Sequence, residues 1–294
     1  MQEGCVLCPR KCGVDRNIQR GACNAPCFPY VAKAALHMWE EPCISGKRGS
    51  GAIFFCGCNL KCVFCQNYDI SNGSVGKMYD AEGIAELMLR LQGKGAHNVN
   101  LVSPAPFVPV LADAIRAAKN RGLSIPVVYN TNSYETLEAL RMLDGLVDIY
   151  LPDLKYVSGA VSKKYSGTEN YFEYAAPAVQ EMFRQTGLLE LDGDGLANKG
   201  VIRHLVLPGS VDETRRVLKY IAENFPKNIT VSLMSQYVPC YKAEKMPPLD
   251  RKLLRREYER AVDYCLSLGL ENAFIQKMDS AKREYTPVFD GKCD

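Results

Sequence analysis

The stretch Cys58-Asn-Leu-Lys-Cys62-Val-Phe-Cys65-Gln-Asn carries three thiols separated by three and then two residues. An apolar run, Ile53-Phe54-Phe55, comes just before it and reads as a buried strand. Each iron of a 4Fe-4S cluster normally takes one cysteine. Three thiolates around one cube therefore leave one iron open to an external ligand. A disulfide loop would need an oxidising compartment, and nothing in the chain points to one. A zinc knuckle usually arrives as two paired ligand sets, whereas this triad has no fourth partner near it and the chain holds only His37, His97 and His204.

The elements that must position the triad follow from the pattern of the rest of the chain. Its 294 residues are 47% hydrophobic and 23% charged, with a net charge of +3. That is material for one large α/β domain and no field strong enough to argue for nucleic acid or membrane as a partner. No run reaches the roughly 18 apolar residues of a membrane span, and the N-terminus shows no basic region followed by an apolar stretch, so a cytoplasmic location is expected. Strands are predicted at Ala52 to Cys56, Asn98 to Val102, Ile125 to Asn130, Val147 to Leu151, Val201 to Leu207 and Ile229 to Met234. Helices are predicted at Ala81 to Leu91, Val108 to Asn120, Tyr134 to Leu143 and Val211 to Phe225, with a charged helical stretch at Leu249 to Leu268 and a closing strand at Glu271 to Gln276. Gly187 to Leu196 alternates and turns at Asp192-Gly193-Asp194-Gly195, which reads as a β-hairpin; an EF-hand loop would need a ligand ladder and distal Glu that are missing. Six β-then-α units predict an open parallel (β/α)6 partial barrel of the α/β class. Residues 1–48 are expected to form a small Cys-rich N-terminal metal-binding extension, and residues 49–294 the barrel with a C-terminal helical extension.

In such a barrel functional groups gather at the C-terminal ends of the strands. There the sequence places the triad, Ser103-Pro104, Asn130-Thr131-Asn132-Ser133, Pro152-Asp153-Leu154-Lys155, Arg203-His204 with Pro208-Gly209, and Ser235-Gln236-Tyr237. Each has a structural reading too: Asp-Leu-Lys as a surface turn, Asn-Thr-Asn as a helix cap, Arg203 as a buried ion pair.

The triad, with an aromatic just before its last cysteine, resembles the radical S-adenosylmethionine (SAM) superfamily. From Ile44 onward the chain looks like the pyruvate formate-lyase activating enzyme branch, with Asn-Thr-Asn, Asp-Leu-Lys and Arg-x-x-x-x-Pro-Gly in matching order. Its opening Cys5-x-x-Cys8-Pro-Arg-x-Cys12-Gly and Glu40-Glu41-Pro42-Cys43-Ile44-Ser45-Gly46 are similar to a less characterised subgroup of activating-enzyme homologues. The resemblance implies that Cys58, Cys62 and Cys65 ligate a 4Fe-4S cluster, that Phe64 packs near the SAM adenine, and that Asp153 and Lys155 face the methionyl carboxylate. Asp153 would also help to hold a monovalent cation, and Arg203 would sit beside the ribose or carboxylate. Ser103, with neighbouring carbonyls, would take the SAM amino group, Asn130 and Asn132 would belong to the third-strand element, and Gln236 would hydrogen-bond a sugar hydroxyl. Asn130 stands where the activating enzymes have an aspartate, and Gln236 where they have a histidine.

The mechanism so implied is reductive cleavage of SAM to methionine and a 5'-deoxyadenosyl radical that abstracts hydrogen, with electrons from a donor such as flavodoxin or ferredoxin. The expected substrate is a glycyl radical enzyme or a relative. The alternatives are a radical SAM enzyme acting on a peptide or small metabolite, and a non-enzymatic metal-binding adaptor or electron carrier. Cys5, Cys8, Cys12 and Cys23 are expected to hold a second metal, zinc or an auxiliary iron–sulfur cluster. Their segment is too poor in apolar residues to fold alone. Cys240, after the sixth strand, reads either as a small packed residue or as a thiol at the barrel mouth that would donate hydrogen to a substrate radical.

Overall fold

The computed structural model describes residues 4–73, 75–278, 281 and 286–293. Its strands are β1 (Tyr30–His37), β2 (Ser50–Phe55), β3 (Lys77–Met78), β4 (Val99–Val102), β5 (Val127–Thr131), β6 (Ile149–Pro152), β7 (Ile202–Leu205), β8 (Val231–Met234) and β9 (Ala273–Ile275). Its α-helices are α1 (Pro42–Ser45), α2 (Tyr68–Ser71), α3 (Ala81–Gly93), α4 (Val108–Asn120), α5 (Leu137–Arg141), α6 (Gly159–Ser166), α7 (Tyr171–Thr186), α8 (Val211–Asn224) and α9 (Arg255–Ser267). One sheet runs β3-β1-β2-β4-β5-β6 and a second runs β7-β8-β9. The two meet at a short seam: Val201 N donates to Tyr150 O, Leu154 N donates to Arg203 O, and Asp153 bridges in parallel to Arg203.

All six expected strands are present and parallel, giving the partial barrel; no ladder closes it among the described residues. Two strands were not anticipated. Strand β1, inside the segment expected as an extension, pairs antiparallel with β2, and β3 pairs antiparallel with β1. The closing strand exists as β9 but extends the smaller sheet beside β8.

Burial explains why these runs fold as they do. Strands β2, β4, β5 and β6 are buried at every position, as expected of parallel strands covered on both faces. Outside, Val99, Leu101, Val127 and Tyr129 meet the apolar stripe of α4, with Leu111, Ala112, Ile115 and Ala118 at helical spacing. Burying side chains such as Leu111 and Ile115 stabilises by roughly 1.5–3 kcal/mol each, and a charge at Ile115 would break that layer. Inside, Cys43 and Ile44 of α1 pack against Val128, Ile149 and Leu151, so the short helix plugs the barrel floor.

Helix α9 begins at Arg255, six residues later than expected, and two more elements are smaller than expected. Helix α5 begins only at Leu137, because Ser133 sits at φ 64 and the hydroxyl of Thr136 caps the helix by accepting from Ala139 N. The hairpin at 187–197 reduces to a single Leu191–Ala197 bridge, with Asp192 Oδ1 accepting from the amides of Asp194 and Leu196. No helix among the described residues is long and apolar enough to cross a membrane.

Candidate functional site

The strand register aligns the chemistry. Phe54 pairs with Val102, Val102 with Asn130, and Thr131 with Pro152. The residues that follow these positions therefore end level on one rim. A cavity of about 250 Å³ opens there, lined by Cys58, Cys62, Phe64, Cys65, Ser103, Asn130, Asn132, Asp153, Lys155, Arg203 and Gln236.

The three thiols share this cavity. Burial and the neighbouring Cys62 push the Cys58 thiol up to about 11, and burial with the other two thiols pushes Cys65 up to about 12. Cys62 is also raised by burial, against the pull of Lys155. Half-buried thiols that raise one another are costly to ionise without a cation, and a coordinating metal deprotonates them outright. Among the described residues no three Cys, His, Asp or Glu side chains converge on a single ion. A 4Fe-4S cube places each thiolate on a different iron, so sulfurs that face a common cavity fit that group.

Beside the triad lies a charged floor in which Arg203 is buried and Asp153 and Lys155 are half-buried. Arg203 Nη2 is 2.8 Å from Asp153 Oδ1, and Lys155 Nζ is 2.7 Å from Asp153 Oδ2. Burial alone would raise the Asp153 carboxyl, but the charges of Arg203 and Lys155 outweigh it and hold it below the usual range. Arg203 is thus the buried ion pair of the structural reading and a cavity wall at once. Both carboxylate oxygens of Asp153 face the protein's own cations, which is where a monovalent cation had been expected.

Glu40 completes the floor. Its Oε1 accepts from Asn100 Nδ2 and Asn130 Nδ2, each at 3.2 Å, and its Oε2 lies 3.3 Å from Arg203 Nη1. Burial pushes its carboxyl up to about 7, against Arg203 and with help from Glu41. Asn130 also accepts from Arg203 Nη2 at 2.6 Å through its Oδ1. Glu40, from the turn between β1 and α1, thus brings a carboxyl group to the Asn130 side chain.

Residues 52–221 match the family model of the Radical SAM superfamily. The chain belongs to the radical SAM superfamily. It is also 33% identical over 277 residues to the uncharacterized protein MJ0674 of Methanocaldococcus jannaschii, covering 92% of this chain and 76% of that protein. Among solved structures it is similar to Streptococcus suis SuiB bound to precursor peptide SuiA, at 15% identity and a TM-score of 0.47, covering 71% of this chain and 44% of that one. It is similar too to a domain of pyruvate-formate lyase-activating enzyme from Bacteroides vulgatus, at 15% identity and a TM-score of 0.42, covering 58% of this chain and 91% of that one. The chain spans less than half the length of the SuiB chain. Membership of the radical SAM superfamily supports an enzyme that uses a 4Fe-4S cluster and SAM.

In this radical SAM chain the remaining predicted residues lie around the cavity or behind it. Phe64 packs edge-on to Tyr237 with ring centres 6.2 Å apart. Ser103 takes φ 59 and its amide donates to Asn130 O. Asn132 donates to Asn59 Oδ1 at 3.0 Å and lies 3.4 Å from Cys58 Sγ. Asn132 Oδ1 accepts from Tyr134 N, making a local turn, while the helix cap falls to Thr136. Gln236 lines the cavity, with its Oε1 3.5 Å from Gln276 Nε2. Cys240 does not line the cavity; its thiol donates to Phe64 O at 3.3 Å, bracing the triad loop from behind.

The N-terminal thiols form a second group. Cys5 N donates to Val14 O and Gly13 N to Cys5 O, closing a tight turn around Cys8 and Cys12. Burial, then the neighbouring Cys23 and Cys5, push Cys8 up to about 11. A Cβ on Gly21 would come within 2.8 Å of Cys12 Sγ and 4.0 Å of Cys23 Sγ, so this glycine keeps the space between two sulfurs clear. The group docks against the triad loop: Cys58 N donates to Cys23 O, and Arg10 Nε donates to Asn59 O at 2.9 Å.

Sequence reasoning did not select Glu40, Asn59 or Asn100 as site residues. Glu40 was visible within the Glu-Glu-Pro motif, but its meaning depends on β1, a strand that alternates too weakly to be read from the sequence.

Proposed function

We propose that the protein binds SAM in the 250 Å³ cavity, cleaves it reductively and passes hydrogen-abstracting power to a glycyl radical enzyme or a relative of one. The observation that carries this reading is the triad of half-buried thiols sharing one cavity with the Asp153, Lys155 and Arg203 floor. A bound cluster supplies the electron that splits the sulfonium bond of SAM and yields a 5'-deoxyadenosyl radical. The chain's own residues do the rest. Lys155 and Arg203, fixed by Asp153, offer positive charge to the methionyl carboxylate. Ser103 and its neighbouring carbonyls meet the amino group, Gln236 meets a sugar hydroxyl, and Phe64 backs the adenine. Partial burial of the floor strengthens these charge contacts.

An open rim with Trp39 and Tyr68 exposed suits a large substrate, a backbone Cα–H on a loop entering the mouth. A second reading, modification of a peptide or small metabolite, is favoured by Asn130 and by the separate N-terminal thiols. Cys5, Cys8, Cys12 and Cys23 hold, in our reading, a second metal docked behind the triad loop. An electron donor of the flavodoxin or ferredoxin type would reduce the loaded protein.

Deuterium transfer separates the two readings. The reduced protein with SAM and a glycyl radical enzyme carrying Cα-deuterated glycine should yield deuterated 5'-deoxyadenosine. Deuterium-free 5'-deoxyadenosine with that substrate, and transfer from a peptide or metabolite instead, would favour the second reading.

A further inference from the structure

Each triad sulfur has a polar neighbour, but only one of these neighbours is wholly buried and backed by another group. Asn132 Nδ2 approaches Cys58, and the Ser71 hydroxyl approaches Cys65. Ser166 Oγ lies 3.0 Å from Cys62 Sγ and 3.0 Å from the hydroxyl of Tyr156. Ser166 is 0% exposed and Tyr156 is 1% exposed, so the pair is sealed from bulk solvent.

The backbone fixes this contact. Lys61 N donates to Ser166 O at 3.0 Å and Val63 N donates to Tyr165 O at 2.9 Å. The amides on both sides of Cys62 are therefore tied to the last two carbonyls of α6. Gly167 ends the helix there at φ 72, and a Cβ on it would meet Lys61 Cβ at 3.3 Å. The close approach of the helix end to the triad loop sets the hydroxyl against the sulfur.

The direction of the bonds follows from proton counting. An iron-bound thiolate has no hydrogen and can only accept, so Ser166 must donate its single proton to Cys62 Sγ. The contact with Tyr156 is then the phenol donating to Ser166 Oγ. Hydrogen bonds to cluster sulfurs and exclusion of solvent set the reduction potential of an iron–sulfur centre. A donor at sulfur favours the more negative, reduced state, and a second donor behind it strengthens the first.

We propose that Tyr156 and Ser166 form a buried hydrogen-bond relay to Cys62 that raises the reduction potential of the cluster held by the triad. Both are positioning residues, acting through Cys62. The inference rests on the triad holding a cluster, which the superfamily implies.

The test is a redox titration of the anaerobic holoprotein, followed by the electron paramagnetic resonance signal of the reduced cluster. Ser166→Ala should shift the midpoint to lower potential, and Tyr156→Phe should shift it the same way by less. Ser162→Ala removes a buried hydroxyl one turn earlier in α6 that donates to Gly159 O and Thr168 O, and it should leave the midpoint in place. An unmoved midpoint in cluster-replete Ser166→Ala overturns the relay. So does an equal shift in Ser162→Ala, which would trace the effect to helix packing. If Ser166→Ala loses the cluster, Tyr156→Phe decides: a lower midpoint supports the relay and an unmoved one overturns it. A wild-type protein without any cluster signal would overturn the cofactor reading and the relay together.

Discussion

Cys58, Cys62 and Cys65 stand in the loop that leaves the C-terminal end of the parallel strand β2, whereas Cys5, Cys8, Cys12 and Cys23 lie in a segment, residues 4–29, that contains no helix or strand. The first set inherits its geometry from the barrel: Cys62 is held through the end of α6, and Cys58 lies three residues past the end of β2. The second set is held by turns, by Gly21, and by a few bonds to the barrel such as Cys58 N to Cys23 O and Thr136 Oγ1 to Leu7 O. One thiol site belongs to a fold that has its own core. The other is poor in apolar mass, and its order depends on docking to the barrel.

The comparison can be broken most directly at the N-terminal set. The double variant Cys8→Ser, Cys12→Ser should lose the whole second metal complement and make residues 4–29 readily cleaved by protease, while iron at the triad stays full. Metal analysis of the wild type and the variant reads both results: one zinc or about four irons lost identifies the metal. Equal loss of triad iron would mean that the two sites form one unit.

A smaller effect is expected on the barrel side. Lys155→Ala removes one charged hydrogen-bond donor from the floor while Arg203 remains on Asp153, and such a donor contributes about 1.5–3 kcal/mol. SAM affinity should fall roughly ten- to a hundredfold with iron content unchanged, measurable by equilibrium binding. Unchanged affinity in cluster-replete protein would place the carboxylate of SAM elsewhere.

Glu40 sharpens the electrostatics. Its folded value of about 7 stands above the ordinary 4.5, so the folded state holds the proton more tightly than the unfolded chain. Its stabilising contribution is full below about pH 4.5 and is lost as pH rises toward 7, a loss of at most about 3 kcal/mol. Glu40→Gln should remove that part of the pH dependence between pH 5 and 7.5 in denaturant unfolding. Glu135, raised by burial to the same value, keeps its own part in both proteins. An unaltered slope would show Glu40 ionised in the fold, held by Arg203.

The least effect is expected at Cys240. Losing its bond to Phe64 O costs about 1 kcal/mol, and Cys240→Ala should keep SAM cleavage without substrate within about twofold. A large loss in that assay would mean that the triad loop depends on this brace.

The barrel was legible because parallel strands buried on both faces leave continuous apolar runs, as at Ile53 to Phe55 and Val127 to Tyr129. The rim residues were legible because they follow those runs directly. Strand β1 was not: its burial alternates irregularly and its partner is set by long-range antiparallel pairing. Helix α7 carries Pro177 in its interior, which interrupts the pattern that marks other helices. Glu40 and Ser166 were hidden for the same reason. Each reaches the site from an element whose place is decided by tertiary contact, so no local spacing announces it.

The central claim is that the triad holds the cluster that cleaves SAM in this chain. Anaerobically reconstituted protein, reduced with dithionite and given SAM, is assayed for 5'-deoxyadenosine beside the variant in which Cys58, Cys62 and Cys65 are all alanine. The wild type should give 5'-deoxyadenosine and the variant none above background. Continued SAM cleavage by the triple variant, or none by cluster-replete wild type, would contradict it.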